Sequence, residues 1–162
     1  MVNLKELYSL QASLDAKIAQ KHHVTYESTH SRRLLALIVE LGELANETRC
    51  FKYWSNKSPS DKPIIMDEFA DGLHFLLSLG IPLRASKFEY VIEKSKDDLT
   101  AQFHHVYRLA TSLLDQYDLA HYETCFQAFL NLTPSLGMSE QDIVDAYKAK
   151  LSVNYKRQEN NY

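Results

Sequence analysis

The sequence predicts an all-α protein, and three observations predict it. Only four glycines and four prolines occur in 162 residues, too few for the turn density of a sandwich or barrel. Strong helix formers, Leu, Ala, Glu, Lys and Gln, are abundant. Apolar residues recur at helical spacing along most of the chain. With 45% apolar and 11% aromatic content, residues 1–162 can bury the core of a single domain.

The first helix is expected over 4–21, where Asn3 and Glu6 resemble a capping box and Leu4, Leu7, Leu10, Leu14 and Ile18 form one stripe. The polar stretch KHHVTYESTHS reads as a connection, and a second helix follows over about 32–51. SNKSPSDKP, at 55–63, is the clearest loop. A third helix, about 64–79, stops at Gly80 and Pro82, with glycine free to turn left-handed and proline unable to continue. The segment 83–96 is ambiguous. Further helices are expected over 97–116, 119–132 and 140–158, the last introduced by Gly137 and the Ser139-x-x-Asp142 cap. No internal repeat or low-complexity segment interrupts them.

Composition also excludes classes of function. A net charge of -3 gives no electrostatic reason to expect a nucleic-acid polymer or an anionic membrane as partner. No apolar run reaches the ~18 residues that cross a bilayer. Cys50 and Cys125 lack CxxC spacing, and MVNLKELYSL has neither the basic nor the apolar region of a secretory signal. A reduced, cytoplasmic protein is expected.

The stretch IVELGELANE sets Glu40, Glu43 and Glu47 into a largely apolar helix. Glu40 and Glu43 lie about 60° apart on one helical face, with Glu47 projected between them one turn on. Such spacing is usually a solvated face, but positions 34–45 are apolar nearly all round, the pattern of a helix buried on most sides. The third helix repeats the peculiarity, since MDEFADGLHFLLSLG carries Glu68 and Asp71 three apart. Buried carboxylates cost several kcal/mol each unless neutralised, paired or coordinated. Few side-chain cations are offered nearby at facing positions, so a bound metal is the economical answer. All-oxygen ligands favour Mg2+ or Mn2+ over structural zinc, and Mg2+ characteristically completes its octahedron with water and substrate phosphates. A diiron-carboxylate bundle also aims glutamates inward, but it requires Glu-x-x-His from two helices. Glu27-x-x-His30 lies in the polar connection, and His74 of Asp71-x-x-His74 points off the acidic face.

ELGELANETRCFKYWS (40–55), DEFADGLHF (67–75) and AYKAKLSVNYKRQ (146–158) together resemble the dimeric all-α dUTP diphosphatases, within the MazG-like nucleoside triphosphate pyrophosphatases. ExxE followed by ExxD is the metal signature of that superfamily, and the flanking FKYWS and DGLHF narrow the resemblance to the dUTPase branch. It covers nearly the whole chain, LYSLQASLD of the first helix included.

The resemblance implies a MazG-like helical bundle around a carboxylate metal site, with additional C-terminal helices. It implies that Glu40, Glu43, Glu68 and Asp71 bind two or more Mg2+ ions (Mn2+ being possible), which hold the triphosphate of dUTP and acidify a bridging water that attacks the α-phosphorus. Glu40 or Glu43 would orient and deprotonate that water. It further implies hydrolysis of dUDP and a homodimer.

Other site residues follow from the same resemblance, each with a blander alternative. Phe75 shares the face of Glu68 and Asp71 and can stack beside the nucleoside, or is a core phenylalanine. Gln11 offers a donor and an acceptor that suit the uracil edge, or sits on the outer face of its helix. Trp54 matches a base-pocket aromatic, or packs at a helix end. Lys52 can reach a phosphate or be solvated. Lys150, Asn154 and Arg157 form one stripe, either solvent-facing or a phosphate grip, with Tyr162 beyond it. The chain departs from the family pattern there: a glycine is expected before that tyrosine, and the sequence ends ENNY. Alternatives to dUTP hydrolysis are a pyrophosphatase for dCTP or a damaged nucleotide, and a non-catalytic helical protein that binds a regulator.

Overall fold

The computed structural model describes residues 1–160. Among them are six helices: α1 (Lys5–His22), α2 (Tyr26–Thr48), α3 (Lys62–Gly80), α4 (Leu99–Ser112), α5 (Leu119–Leu130) and α6 (Glu140–Glu159). The fold is all-α. Its two short strands, β1 (Val2–Asn3) and β2 (Glu89–Tyr90), pair antiparallel with Val2 opposite Tyr90.

Helix α3 is the central rod. It packs most extensively on α2 and then on α6, with α1 and α5 on its other sides. Eleven of its residues are buried, from Ile65 and Phe69 to Ser78, Leu79 and Gly80. Phe69 stacks on Phe129 of α5 with ring centroids 4.5 Å apart. Below it, the rings of Tyr8, Tyr90, Tyr122 and Phe126 fill the space between α1, β2 and α5. The Tyr122 hydroxyl lies 2.6 Å from that of Tyr8 and donates to the Leu76 carbonyl at 2.9 Å, whereas the buried Tyr90 hydroxyl has no hydrogen-bond partner among the described residues.

Several local expectations need correction. Helix α1 has Leu4 as its N-cap with no side-chain cap; Asn3 belongs to β1 and its Oδ1 accepts the Lys5 N–H instead of closing a capping box with Glu6. Helix α2 begins well before residue 32, because Thr25 and Ser28 exchange side-chain and backbone hydrogen bonds as a capping box with serine in place of the usual Glu or Gln. Glu27 and His30 are therefore helical, and the His30 ring packs at a tilt against Tyr117, with centroids 4.1 Å apart. Helix α2 is also not buried on most sides within this chain. Leu34, Leu37, Leu41 and Leu44 are buried, but Leu35 and Val39 are 62% and 48% exposed. The ambiguous segment 83–96 carries β2, which ties the N-terminus down through its pairing with β1 and a Leu4 N–H to Phe88 carbonyl bond of 2.8 Å.

The loop at 55–61, the helix stop at Gly80 and the last helix agree with the sequence pattern. Ser139 and Asp142 form the expected capping box, and Gly137 has φ +67, a conformation that favours glycine. Gly80 is the last residue of α3, and it is required for a different reason than expected. Its φ is not positive; instead, a Cβ there would lie 2.5 Å from Cζ of Tyr122.

Candidate active site

Helices α2 and α3 lie side by side, and Glu40 of α2 meets Glu68 and Asp71 of α3 in the groove between them. One carboxylate oxygen each from Glu40, Glu68 and Asp71 lies within 4.8 Å of the others. Glu40 Oε2 is buried and has no hydrogen-bond partner among the described residues. Burial is the largest cause pushing the Glu40 carboxyl up to about 7, and the neighbouring charges of Asp71, Glu43 and Glu68 add to it. Glu68 is raised by the same combination, burial first and then Glu43 and Asp71. Glu43 is exposed and stands outside the closest group, though its charge is felt by Glu40 and Glu68. Glu47 turns away, accepting a hydrogen bond from Ser60.

One premise of the sequence argument is corrected here, because α6 does supply a cation. Lys150, only 5% exposed, donates to Asp71 Oδ2 at 2.6 Å and also meets Asp67 Oδ2 at 2.8 Å. Burial presses the ammonium down, but the two carboxylates outweigh it and hold Lys150 above its ordinary range. Asp71 is raised by burial, with Lys150 opposing. Lys150 pairs with Asp67 and Asp71 and the charge of Arg157 also acts on Asp71, while Glu40 and Glu68 have no ion pair among the described residues and still repel their acidic neighbours.

Next to the acidic groove opens a cavity of about 580 Å3, within the usual size of small-molecule sites. Glu40 and Asp71 line one end of it with Asn154 and Arg157; Phe75 and Gln11 line the wall. Gln11 is 3% exposed, which removes the outer-face alternative. Phe75 is partly buried and packs against the core while lining the cavity. The structure leaves two other residues away from this cavity. Trp54, 64% exposed, sits edge-on to Tyr53 and Phe51 on the turn after α2, and Lys52 donates to Asn46 Oδ1 at 2.5 Å. Tyr162 lies outside the described residues.

Sequence reasoning missed a second polar group in the same cavity. Asp15 accepts hydrogen bonds from Gln11 Nε2 at 2.8 Å, from Ser78 Oγ at 2.7 Å and from the Tyr26 hydroxyl at 3.1 Å. Gln11 Oε1 in turn lies 2.6 Å from His74 Nδ1 and 3.0 Å from the Tyr147 hydroxyl. His74 is stacked on Tyr147 and pushed down to about 4 by burial, so it is neutral near pH 7. Burial raises Asp15, while its three hydrogen-bond donors and Arg33 pull it back. The i, i+4 spacing of Gln11 and Asp15 in LYSLQASLD was the one available signal.

The sequence profile of a dUTPase family matches residues 3–162. The chain belongs to that dUTPase family. No curated protein matched it. Membership makes the chain a dUTP diphosphatase, a hydrolase with a nucleotide substrate, and its all-α bundle is consistent with the MazG-like superfamily. The non-catalytic alternative falls away. No helix of the described dUTPase is long and apolar enough to cross a membrane.

The raised Glu40 of this dUTPase has a measurable consequence. Its folded value of about 7 exceeds the ordinary 4.5, so the stability associated with proton binding is fully present below about pH 4.5 and is lost as pH rises through 7. In metal-free protein at pH 8, Glu40→Gln is expected to stabilise by about 1 kcal/mol after allowing for solvent screening, a rise of roughly 2–4 °C in Tm. Near pH 4.5 the difference should shrink toward zero. Thermal melts in chelator across this range check it, and a Tm gap independent of pH would contradict the assignment.

Proposed function

We propose that the chain hydrolyses dUTP, and dUDP, to dUMP, releasing pyrophosphate or phosphate, at the groove between α2 and α3. The observation that supports this best is the set of three carboxylates from two adjacent helices within 4.8 Å, one of them with a buried, unpartnered oxygen, at the end of a nucleotide-sized cavity. Hard oxygen donors with uncompensated charge fit a divalent cation, Mg2+ or Mn2+, two or more per site. Glu40, Glu68 and Asp71, joined by the exposed Glu43, would hold it. When bound, such cations supply charge against the polyphosphate and make water a better nucleophile near pH 7.

The chain's own groups do the rest. Glu40 Oε2 accepts the proton of the water that attacks the α-phosphorus, and Glu43 beside it helps orient that water. Lys150 fixes the Asp71 carboxylate through its 2.6 Å hydrogen bond. Asn154 and Arg157, at the acidic end of the cavity, bind and neutralise the phosphates. Phe75 packs on the nucleoside and Gln11 bonds the base. Lys52 and Trp54, on the turn after α2 and away from this cavity, are given no contact in it.

A homodimer is proposed as well, supported by the family resemblance and by the outward Leu35 and Val39 on one face of α2. The unpaired Cys50 and Cys125 agree with a cytoplasmic location. The decisive experiment measures pyrophosphate or phosphate release from dUTP, dUDP, dTTP, dCTP and UTP, with and without Mg2+. Mg2+-dependent hydrolysis of dUTP and dUDP is expected to exceed that of the other nucleotides by at least about 100-fold, a ratio that differences in pocket fit alone can reach. A preference for dCTP would replace the substrate proposed here, and metal-independent turnover would remove the cation.

A further inference from the structure

We propose that Asp15 is a positioning residue that fixes the amide of Gln11 so that the cavity offers the base one N–H donor, and that this arrangement separates uracil from cytosine. The inference rests on the dUTP hydrolysis proposed above and adds the device that reads the base. It follows from counting the valences of a buried amide.

Three donors converge on Asp15: Gln11 Nε2 from α1, the Tyr26 hydroxyl from α2 and Ser78 Oγ from α3. The last two are themselves held. The Arg33 guanidinium donates to the Ser78 carbonyl at 2.7 Å and to the Tyr26 carbonyl at 2.6 Å. A carboxylate in such a cradle only accepts, so the nitrogen end of the Gln11 amide must face it. A turned amide would set its carbonyl oxygen against Asp15 Oδ1, an acceptor against an acceptor.

With the nitrogen so placed, Gln11 Oε1 faces Tyr147 and His74, at 3.0 Å and 2.6 Å. Both then donate to it: the tyrosine through its hydroxyl, the neutral histidine through Nδ1. The two lone pairs of the carbonyl are used. Gln11 has one valence left among the described residues, the second N–H of its amide, and Gln11 is one of the residues that line the cavity. The side chain that carries both a donor and an acceptor in the sequence is a donor alone in the fold.

A fixed N–H pairs with the C4 carbonyl of uracil. Cytosine carries an amino group at that position, so two donors confront each other and a buried group is left unpaired. Thymine keeps the C4 carbonyl and differs from uracil at C5, so this device has no purchase on it. The two rejections are therefore separable by mutation.

The experiment compares kcat and KM for dUTP, dCTP and dTTP in the wild type and in Asp15→Asn, with Mg2+ present. Asparagine keeps the shape of Asp15 but can donate as well as accept, which lets the Gln11 amide turn. The dUTP-to-dCTP ratio of kcat/KM is expected to fall about tenfold, through KM more than kcat, while the dUTP-to-dTTP ratio stays within twofold. Tyr147→Phe, which removes one hydroxyl and frees one lone pair of Gln11 Oε1, serves if Asp15→Asn does not fold; it should shift the dCTP ratio the same way and again spare dTTP. An unchanged dCTP ratio, or parallel losses on all three nucleotides, would overturn the positioning role while leaving dUTP hydrolysis standing. A wild type with no activity on dUTP would overturn the substrate proposal and this inference with it.

Discussion

Glu40→Gln is expected to lower dUTP turnover about 1,000-fold, within the range for losing a general base, while the far-ultraviolet circular dichroism stays helical. Glu40 combines three properties found together in no other acidic side chain among the described residues. It lies within 4.8 Å of the Glu68 and Asp71 carboxylates, it has a buried oxygen without a partner, and its carboxyl is pushed up to about 7. Glutamine keeps the volume but loses both the charge that would bind a divalent cation and the oxygen that accepts a proton. A second readout follows. Mg2+ at about 100 times its dissociation constant should stabilise the wild type by about 2.7 kcal/mol, and the variant by far less. Glu43→Gln is expected to abolish turnover in the same way. Turnover of Glu40→Gln within fivefold of wild type, with its Mg2+ response intact, would move the hydrolytic centre elsewhere.

Gly80→Ala is expected to destabilise the fold by about 3 kcal/mol, lowering Tm by roughly 6–12 °C, which is large for the addition of one methyl group. The added Cβ would lie 2.5 Å from Cζ and 2.8 Å from Cε1 of Tyr122, a ring with no exposed surface. Tyr122 cannot step aside cheaply. Its hydroxyl is held by Tyr8 and by the Leu76 carbonyl, and its ring packs on Phe126. Tyr122→Leu in the same chain should relieve the overlap, so the double variant should lose less than the sum of the two single losses. Denaturant titrations of the four chains measure this coupling. Additive losses, or a Gly80→Ala cost under 0.5 kcal/mol, would rule out the close approach.

These two residues show what the linear pattern carries and what it hides. The acidic cluster was readable because two glutamates in α2 and a Glu-Asp pair in α3 each recur on one face of an apolar helix, and a helical face is a property of neighbours three and four apart. The pairing of Lys150 with Asp71 was not, because the two lie 79 residues apart. At Gly80 the place of the stop was readable and the need for glycine was not: sequence suggests a left-handed turn, while the structure shows a tyrosine from α5 packed where a side chain would stand. The early start of α2 was missed because its capping box uses Ser28, so a polar helical turn looked like a connection.

By itself the sequence determined the all-helical class, most helix positions, the family resemblance and the four carboxylates, since each depends on composition or on residues within one or two turns of each other. Only the tertiary structure decided which carboxylates converge, that Lys150 neutralises one of them, that Gln11 is buried and tied to Asp15, His74 and Tyr147, and that Leu35 and Val39 face outward. The physical reason is the same throughout. Periodicity states which side of a rod is apolar, but hydrogen bonds and burial depend on which rods meet and at what rotation, and that is settled by packing the whole core at once.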